Sequence, residues 1–304
     1  MKVSIIGAGA VGATLAQRVL ESGIADVVLL DIAKNLATAK AFDLMDASPI
    51  VAHERTITGT DDYSQTASSD IVVITAGFPR KPGMTREDLI AKNAGIVKEV
   101  SDNIKKYSPG SIVIVVTNPL DIMTYLAFKQ TGFGRKKVFG MAGVLDSSRF
   151  IYLISHELKV PRSSVRTFIL GSHGDTMVPL ISQTSVSGRP ITEVMSGDKL
   201  EAIIRRTRDR GAEIVGLFGS GSAYYSPSAA VFKMIEVVLK DKKETLVASA
   251  CLDGEFGLKD VAIGVPCKLG RSGIEEIVSL KMSKEEDAAF RESAKAIKSS
   301  IGSI

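Results

Sequence analysis

The N-terminal stretch KVSIIGAGAVGATLAQRVLES, residues 2–22, constrains the fold more than any other segment. An apolar run of strand length stops at Gly7, and glycines recur at 9 and 12. Leu15, Ala16, Val19 and Leu20 then follow at helical spacing, with Gly23 as a C-terminal stop. Each glycine has a physical reason. The first permits a tight turn, the second lets backbone amides approach a pyrophosphate, and the third lets helix and strand pack closely. The phosphates would sit at the helix N-terminus, where unpaired amides and the dipole favour negative charge. Such a turn alone is a weak signal, since a glycine-rich connection beside an ordinary helix cap reads the same way. Its context strengthens it: a strand before, a helix after, and DVVLLD placing Asp31 at the end of the next strand. An acid there accepts from the adenosine ribose hydroxyls and repels a 2′-phosphate, which favours NAD over NADP.

The alternation continues through the first half. NLATAKAFDLMDA reads as a helix, and DIVVITAG and SIVIVVTN as the third and fourth strands, separated by a helical pattern from Thr85 to Tyr107. KVFGMAG is a shorter strand. Strands apolar throughout, each followed by a helix, imply a parallel sheet covered on both faces, a doubly wound Rossmann α/β fold. The second half changes character. A helix is expected from Asp146 to Leu158, and SVRTFILGSHGD and LISQTSVSGRPI read as strands of an antiparallel sheet. Two helices follow, with Pro227 near the start of the second, then a strand meander from Thr245 and a final helix over about Ser283 to Ile301. The expected division is a dinucleotide-binding domain over residues 1–143 and an α+β substrate-binding and catalytic domain over 144–304.

Bulk properties exclude several classes. Apolar content of 45% and charged content of 24% fit a globular protein. No apolar run reaches the roughly 18 residues of a spanning helix. The first residues make a poor signal peptide, so a cytoplasmic location is expected. Cys251 and Cys267 stand apart with no CxxC pair, which argues against a metal or redox site. The net charge of +4 is concentrated in runs such as RRTRDR (Arg205 to Arg210) and KDKK (Lys240 to Lys243). No aromatic residues interleave them, so they read as solvated helix faces and not as a nucleic-acid footprint.

Chemistry-bearing residues gather at strand ends. Thr75, Ala76 and Gly77 close one strand, and Val116, Thr117, Asn118 and Pro119 close the next. Ligands of open parallel sheets bind outside these carboxyl ends. Asn118 either hydrogen-bonds the nicotinamide ribose or substrate, or caps the turn before Pro119. The stretch GFPRKPGMTREDL sets Arg80 and Arg86 six positions apart on a loop containing Pro82 and Gly83. Of the three histidines, His53 and His156 have polar surroundings, while His173 sits in GSHGDTMVP among small neighbours after an apolar strand. A solitary histidine is usually structural, and spacing alone does not make His173 catalytic. Asp146 and Arg149 in VLDSSRF share a helix face. They read either as an ion pair, or separately as a carboxylate that fixes a histidine tautomer and an arginine that grips a substrate carboxylate.

GAGAVG, the aspartate after VVLL, TAGFPRKPGMTR, VTNPLD, GVLDSSRF and GSHGDTMVP occur in this order over essentially the whole chain. Together they resemble the lactate/malate dehydrogenase superfamily, and within it most closely the lactate-dehydrogenase-like malate dehydrogenases. The resemblance implies NAD as cofactor, reversible hydride transfer between malate and oxaloacetate, a place in the tricarboxylic acid cycle, and a homo-oligomer, with a tetramer favoured over a dimer. It implies His173 as general acid/base, Asp146 as its orienting carboxylate, and Arg86 as the group that polarises the carbonyl. Arg149 would bind the carboxylate beside the reacting carbon, and Arg80 stands at the specificity position, where lactate enzymes usually carry glutamine. Asn118 and Ala223 would complete the substrate pocket. Cofactor contacts would run over Gly7, Gly9, Ala10, Val11, Gly12, Asp31, Thr75, Ala76, Gly77, Asn93, Val116 and Asn118. The stretch holding Arg80 and Arg86 would close as a lid over both ligands.

Ser172 departs from the pattern, since malate enzymes commonly have glycine there and lactate enzymes glutamate. The alternatives are a lactate or other 2-hydroxyacid dehydrogenase, or a non-catalytic NAD-binding protein. A small-molecule acid is the expected partner, with no nucleic acid, membrane or metal.

Overall fold

A computed structural model describes residues 1–78, 86–219 and 221–302. The first half alternates β1 (Lys2–Ile6), α1 (Ala10–Glu21), β2 (Asp26–Leu30), α2 (Lys34–Val51), β3 (Ile57–Thr60), β4 (Ile71–Ile74), α3 (Arg86–Tyr107), β5 (Ile112–Val115), α4 (Leu120–Thr131) and β6 (Val138–Met141). β1, β4, β5 and β6 bury nearly every residue, as strands covered on both faces must. Their order is β3-β2-β1-β4-β5-β6, all parallel, so the chain runs outward from β1 in both directions. The reversal at β1/β4 opens a crevice at the carboxyl ends of these strands.

The second half begins with α5 (Gly143–Leu158), β7 (Val165–Arg166), β8 (Ile169–Gly171), β9 (Met177–Pro179), β10 (Ser185–Val186), β11 (Arg189–Pro190) and α6 (Ile191–Val194). It continues with α7 (Gly197–Phe218), α8 (Tyr225–Leu239), β12 (Glu244–Asp253), β13 (Lys259–Gly270), β14 (Gly273–Ile277) and α9 (Lys284–Ile301). α9 starts on a capping box, with Ser283 and Glu286 each satisfying the other's backbone N–H. β12 pairs antiparallel with β6, and β13, β8 and β9 extend the same sheet. The parallel and antiparallel parts therefore form one 11-stranded sheet among the described residues. A small second cluster, centred on Phe150, Ile154 and Ile203, packs α5 against α7.

Three expectations need correction. ITGT forms a strand, β3, so DIVVITAG and SIVIVVTN supply the fourth and fifth strands and not the third and fourth. β3 is short and half polar, and its Gly59 is there because a side chain would strike the Ala37 carbonyl of α2. LISQTSVSGRPI is not one strand: a 3-10 turn at Ile181–Gln183 precedes the short β10 and β11, which turn at Ser187 and Gly188. α5 begins at Gly143, three residues before the expected Asp146. Among the described residues no helix is long and apolar enough to cross a membrane, and no cluster of acids, histidines and cysteines is arranged to hold a metal.

Gly143 lets α5 sit hard against the sheet, since a Cβ there would run into the Ile169 carbonyl and the Val247 side chain. Gly143→Ala is expected to cost about 1–3 kcal/mol, as overpacking does. Gly95→Ala, within α3 and with nothing within 4 Å of the added carbon, should instead stabilise slightly. Thermal melts of the two variants check this contrast, and equal melting temperatures would refute it.

Candidate active site

The crevice above β1, β4 and β5 is a cleft of about 520 Å³. Its floor is the glycine turn. Gly7 has φ +112, a conformation that excludes other residues, and a Cβ on Gly12 would run into the Gly7 carbonyl. Thr75 Oγ1 donates to the Ile6 and Gly7 carbonyls at 3.1 and 3.0 Å and fixes the turn to the end of β4. Gly9 differs from these two: nothing lies within 4 Å of a carbon added there, so its face is open to the cleft. It is the N-cap of α1, with no capping side chain and no acid in the first turn. An uncapped, uncompensated helix start beneath an open glycine is what a pyrophosphate requires. The donor set therefore fits NAD, with Gly9, Ala10, Val11 and Gly12 lining the cleft where the phosphates would lie. Asp31 stands at the end of β2, its oxygens accepting from the Ala8 and Ala33 N–H groups at 2.6 and 2.9 Å. This fixed charge suits ribose hydroxyls and opposes a 2′-phosphate.

The neighbouring strand ends are tied together. Thr117 Oγ1 donates to the Ala76 carbonyl at 2.7 Å, and a Cβ on Gly77 would come within 2.6 Å of Thr117 Cγ2. Asn93 is buried, its amide oxygen accepting from Phe78 N–H at 2.8 Å and its nitrogen donating to the Asn118 carbonyl at 2.7 Å. It borders the cleft, but these bonds make it a brace between two connections. Val116 and Asn118 also line the cleft, and Asn118 is exposed there ahead of a cis peptide bond to Pro119.

The far end holds the titratable groups. β8 stops at Gly171, φ +82, and the chain turns through Ser172, His173 and Gly174. Ser172 N–H donates to Ser293 Oγ of α9 at 2.9 Å. His173 Nδ1 lies 2.8 Å from Asp146 Oδ2 on α5. Arg149 follows one turn later, with Nη1 3.7 Å from Asp146 Oδ1. The Asp146–Arg149 pair is close, yet the carboxylate's hydrogen bond goes to the histidine. Arg149 Nε and Asp146 Oδ1 are buried without a hydrogen-bond partner among the described residues. Burial holds the Arg149 guanidinium below its ordinary pKa. Burial would also lower the His173 imidazole, but the Asp146 charge and hydrogen bond, with Asp121 beyond, outweigh it and raise its pKa. Ala223, between α7 and α8, lines the same cleft as Arg149 and His173. His53 is buried elsewhere, its ring accepting from Arg55 N–H, and His156 stacks on Tyr152.

Arg80 lies outside the described residues, and with it Pro82, Gly83 and the expected lid. Arg86 opens α3, but its side chain is not described. Two residues without an expected role enter the site. Asp121 in the first turn of α4 accepts His173 N–H at 2.8 Å and Ser249 Oγ–H at 2.7 Å. Nothing in the sequence pairs Asp121 with Ser249, 128 positions away on β12, and an acid in a first helical turn is ordinary.

Residues 1–140 match the lactate/malate dehydrogenase NAD-binding domain, and residues 143–304 match the α/β C-terminal domain of the same enzymes. A malate dehydrogenase of Methanosarcina barkeri is 50% identical over 303 residues, covering 100% of this chain and 99% of that protein. The crystal structure of malate dehydrogenase from Salinibacter ruber superposes with a TM-score of 0.95 at 44% identity, covering 100% of this chain and 97% of that one. The lactate dehydrogenase of Cryptosporidium parvum, solved with lactic acid and NAD, superposes at 0.96 with 37% identity over 99% of this chain and 96% of that one. With both halves matched by the two domains of a single enzyme family, and half of its residues shared with a full-length relative, the chain belongs to the lactate/malate dehydrogenase family.

Proposed function

We propose that the chain is an NAD-dependent malate dehydrogenase that interconverts malate and oxaloacetate. The observation that carries this reading is the buried Arg149 Nε, without a hydrogen-bond partner among the described residues, beside the His173–Asp146 pair. A buried guanidinium is stable when a carboxylate completes it, and a 2-hydroxyacid places a carboxylate next to the carbon that reacts. When bound, NAD supplies the hydride acceptor for oxidation and the donor for reduction. Asp146 accepts the Nδ1–H of His173, so the proton lost by the substrate hydroxyl goes to Nε2. Asp146 then faces the imidazolium it favours. Arg86 stabilises the developing charge on the carbonyl oxygen. Asn118 and Ala223 contribute to the pocket wall. The reading assigns residues 1–143 to cofactor binding and 144–304 to substrate binding.

Substrate choice follows from Arg80. Oxaloacetate has a second carboxylate for it and pyruvate a methyl. Burying Arg80 unpaired would cost about 3–5 kcal/mol, roughly two to four orders of magnitude in selectivity. Assembly into a homo-oligomer is also proposed, supported by exposed large apolar side chains, Ile32, Phe42 and Ile50 in the first half and Leu217 on α7.

Steady-state kinetics with NADH should give a kcat/KM for oxaloacetate far above that for pyruvate, and Arg80→Gln should move the preference toward pyruvate. An unchanged preference in that variant would defeat the charge-pairing account. His173→Asn should lose at least about 100-fold in kcat, the usual scale of general acid–base catalysis, while retaining NADH affinity by fluorescence titration. Loss of cofactor binding instead would count against the role given to His173. Sedimentation equilibrium should return a multiple of the single-chain mass, and a monomer at micromolar concentration would remove the assembly proposal.

A further inference from the structure

We propose that Asp121 is a positioning residue for His173: its carboxylate holds the histidine backbone in place and adds a second negative charge beside the imidazole. The inference rests on the reading of His173 as the acid/base group. Asp121 is 4% exposed, yet it carries two directed hydrogen bonds, from His173 N–H at 2.8 Å and from Ser249 Oγ at 2.7 Å. Backbone N–H can only donate, so at least one oxygen must act as acceptor.

Ser249 is fully buried and aligned by the sheet. It pairs in register with Gly140 of β6 and Gly264 of β13, and Gly264 pairs in turn with Gly171, which starts the His173 turn. A Cβ on Gly264 would come within 2.6 Å of the Gly171 carbonyl, so this row is packed backbone to backbone. Asp121 thus fastens the histidine turn to the sheet at the level of the cleft, through a group that bonds neither the imidazole nor Arg149.

The charged groups facing His173 among the described residues are Asp146 and Arg149 from α5 and Asp121 from α4. Those facing Asp121 are His173 and Asp146. Burial raises the Asp121 carboxyl to about 6, with the Ser249 and His173 hydrogen bonds opposing the rise. The two hydrogen bonds favour its ionised form, and that charge favours the imidazolium. Malate oxidation needs neutral His173, so kcat/KM for malate falls as pH drops through the His173 pKa.

Asp121→Asn keeps the shape, with its carbonyl oxygen accepting from His173 N–H and its amide donating to Ser249. Removing the charge should lower the His173 pKa by about one unit. The acid limb of kcat/KM for malate should move down equally, with KM and NADH affinity within about twofold of the original. Imidazole ¹⁵N titration reads the same shift directly, and His173→Asn identifies the signal among three histidines. Ser249→Ala, which removes a donor that favours ionised Asp121, should shift the profile the same way by less. An unshifted limb and an unshifted imidazole in Asp121→Asn would overturn the proposal. If that variant does not fold, the Ser249→Ala titration decides by the same criterion. An active His173→Asn enzyme would instead overturn the acid/base reading, and this inference with it.

Discussion

The site depends on a charge that the protein has taken out of water. Asp146 is 1% exposed, and its one hydrogen bond among the described residues goes to His173. Burying a carboxylate costs several kcal/mol even after relaxation, so its surroundings have to return that energy. The second turn of α5 supplies Arg149 for the purpose, and Gly143 brings the start of that helix against the sheet. Gly171 turns β8 so that the imidazole meets Oδ2. Even so, the compensation is incomplete: Asp146 Oδ1 and Arg149 Nε lack hydrogen bonds among the described residues. A carboxylate ligand is the kind of group that would complete the guanidinium's bonding.

At the other end of the cleft the connections are already braced, although the start of α1 stays uncapped. Asp31 is held by two backbone N–H groups, and Thr75 pins the glycine turn. The cofactor end is thus preorganised, and little ordering would accompany binding there.

The difference between the two ends governs what could be read from the residues. Contacts between neighbours in sequence were legible: the glycine turn, the apolar strands, and Asp146 with Arg149 on one helical face. The family's motif order carried the partnership of His173 with Asp146, which spacing alone left open. β3 escaped notice because ITGT has too few apolar residues to show a pattern, and what defines it is its pairing with β2. The bond from Ser249 to Asp121 was invisible because register between β6 and β12 creates it, and register is settled by the whole sheet. Asn93 entered only through the family resemblance, and its amide hydrogen bonds to Phe78 and Asn118, which brace two connections, could not be read from the sequence.

The junction of β6 with β12 has a mechanical consequence. Many enzymes with two units joined by a flexible connection close by swinging one unit on the other. Here the connecting material is itself a sheet: β6 bonds β5 on one side and β12 on the other, so bending there would break ladder hydrogen bonds in both directions. The frame is a continuous hydrogen-bonded sheet. Bending there is resisted by the ladder, so the sheet itself ties the strand that carries the glycine turn to the one that leads into His173.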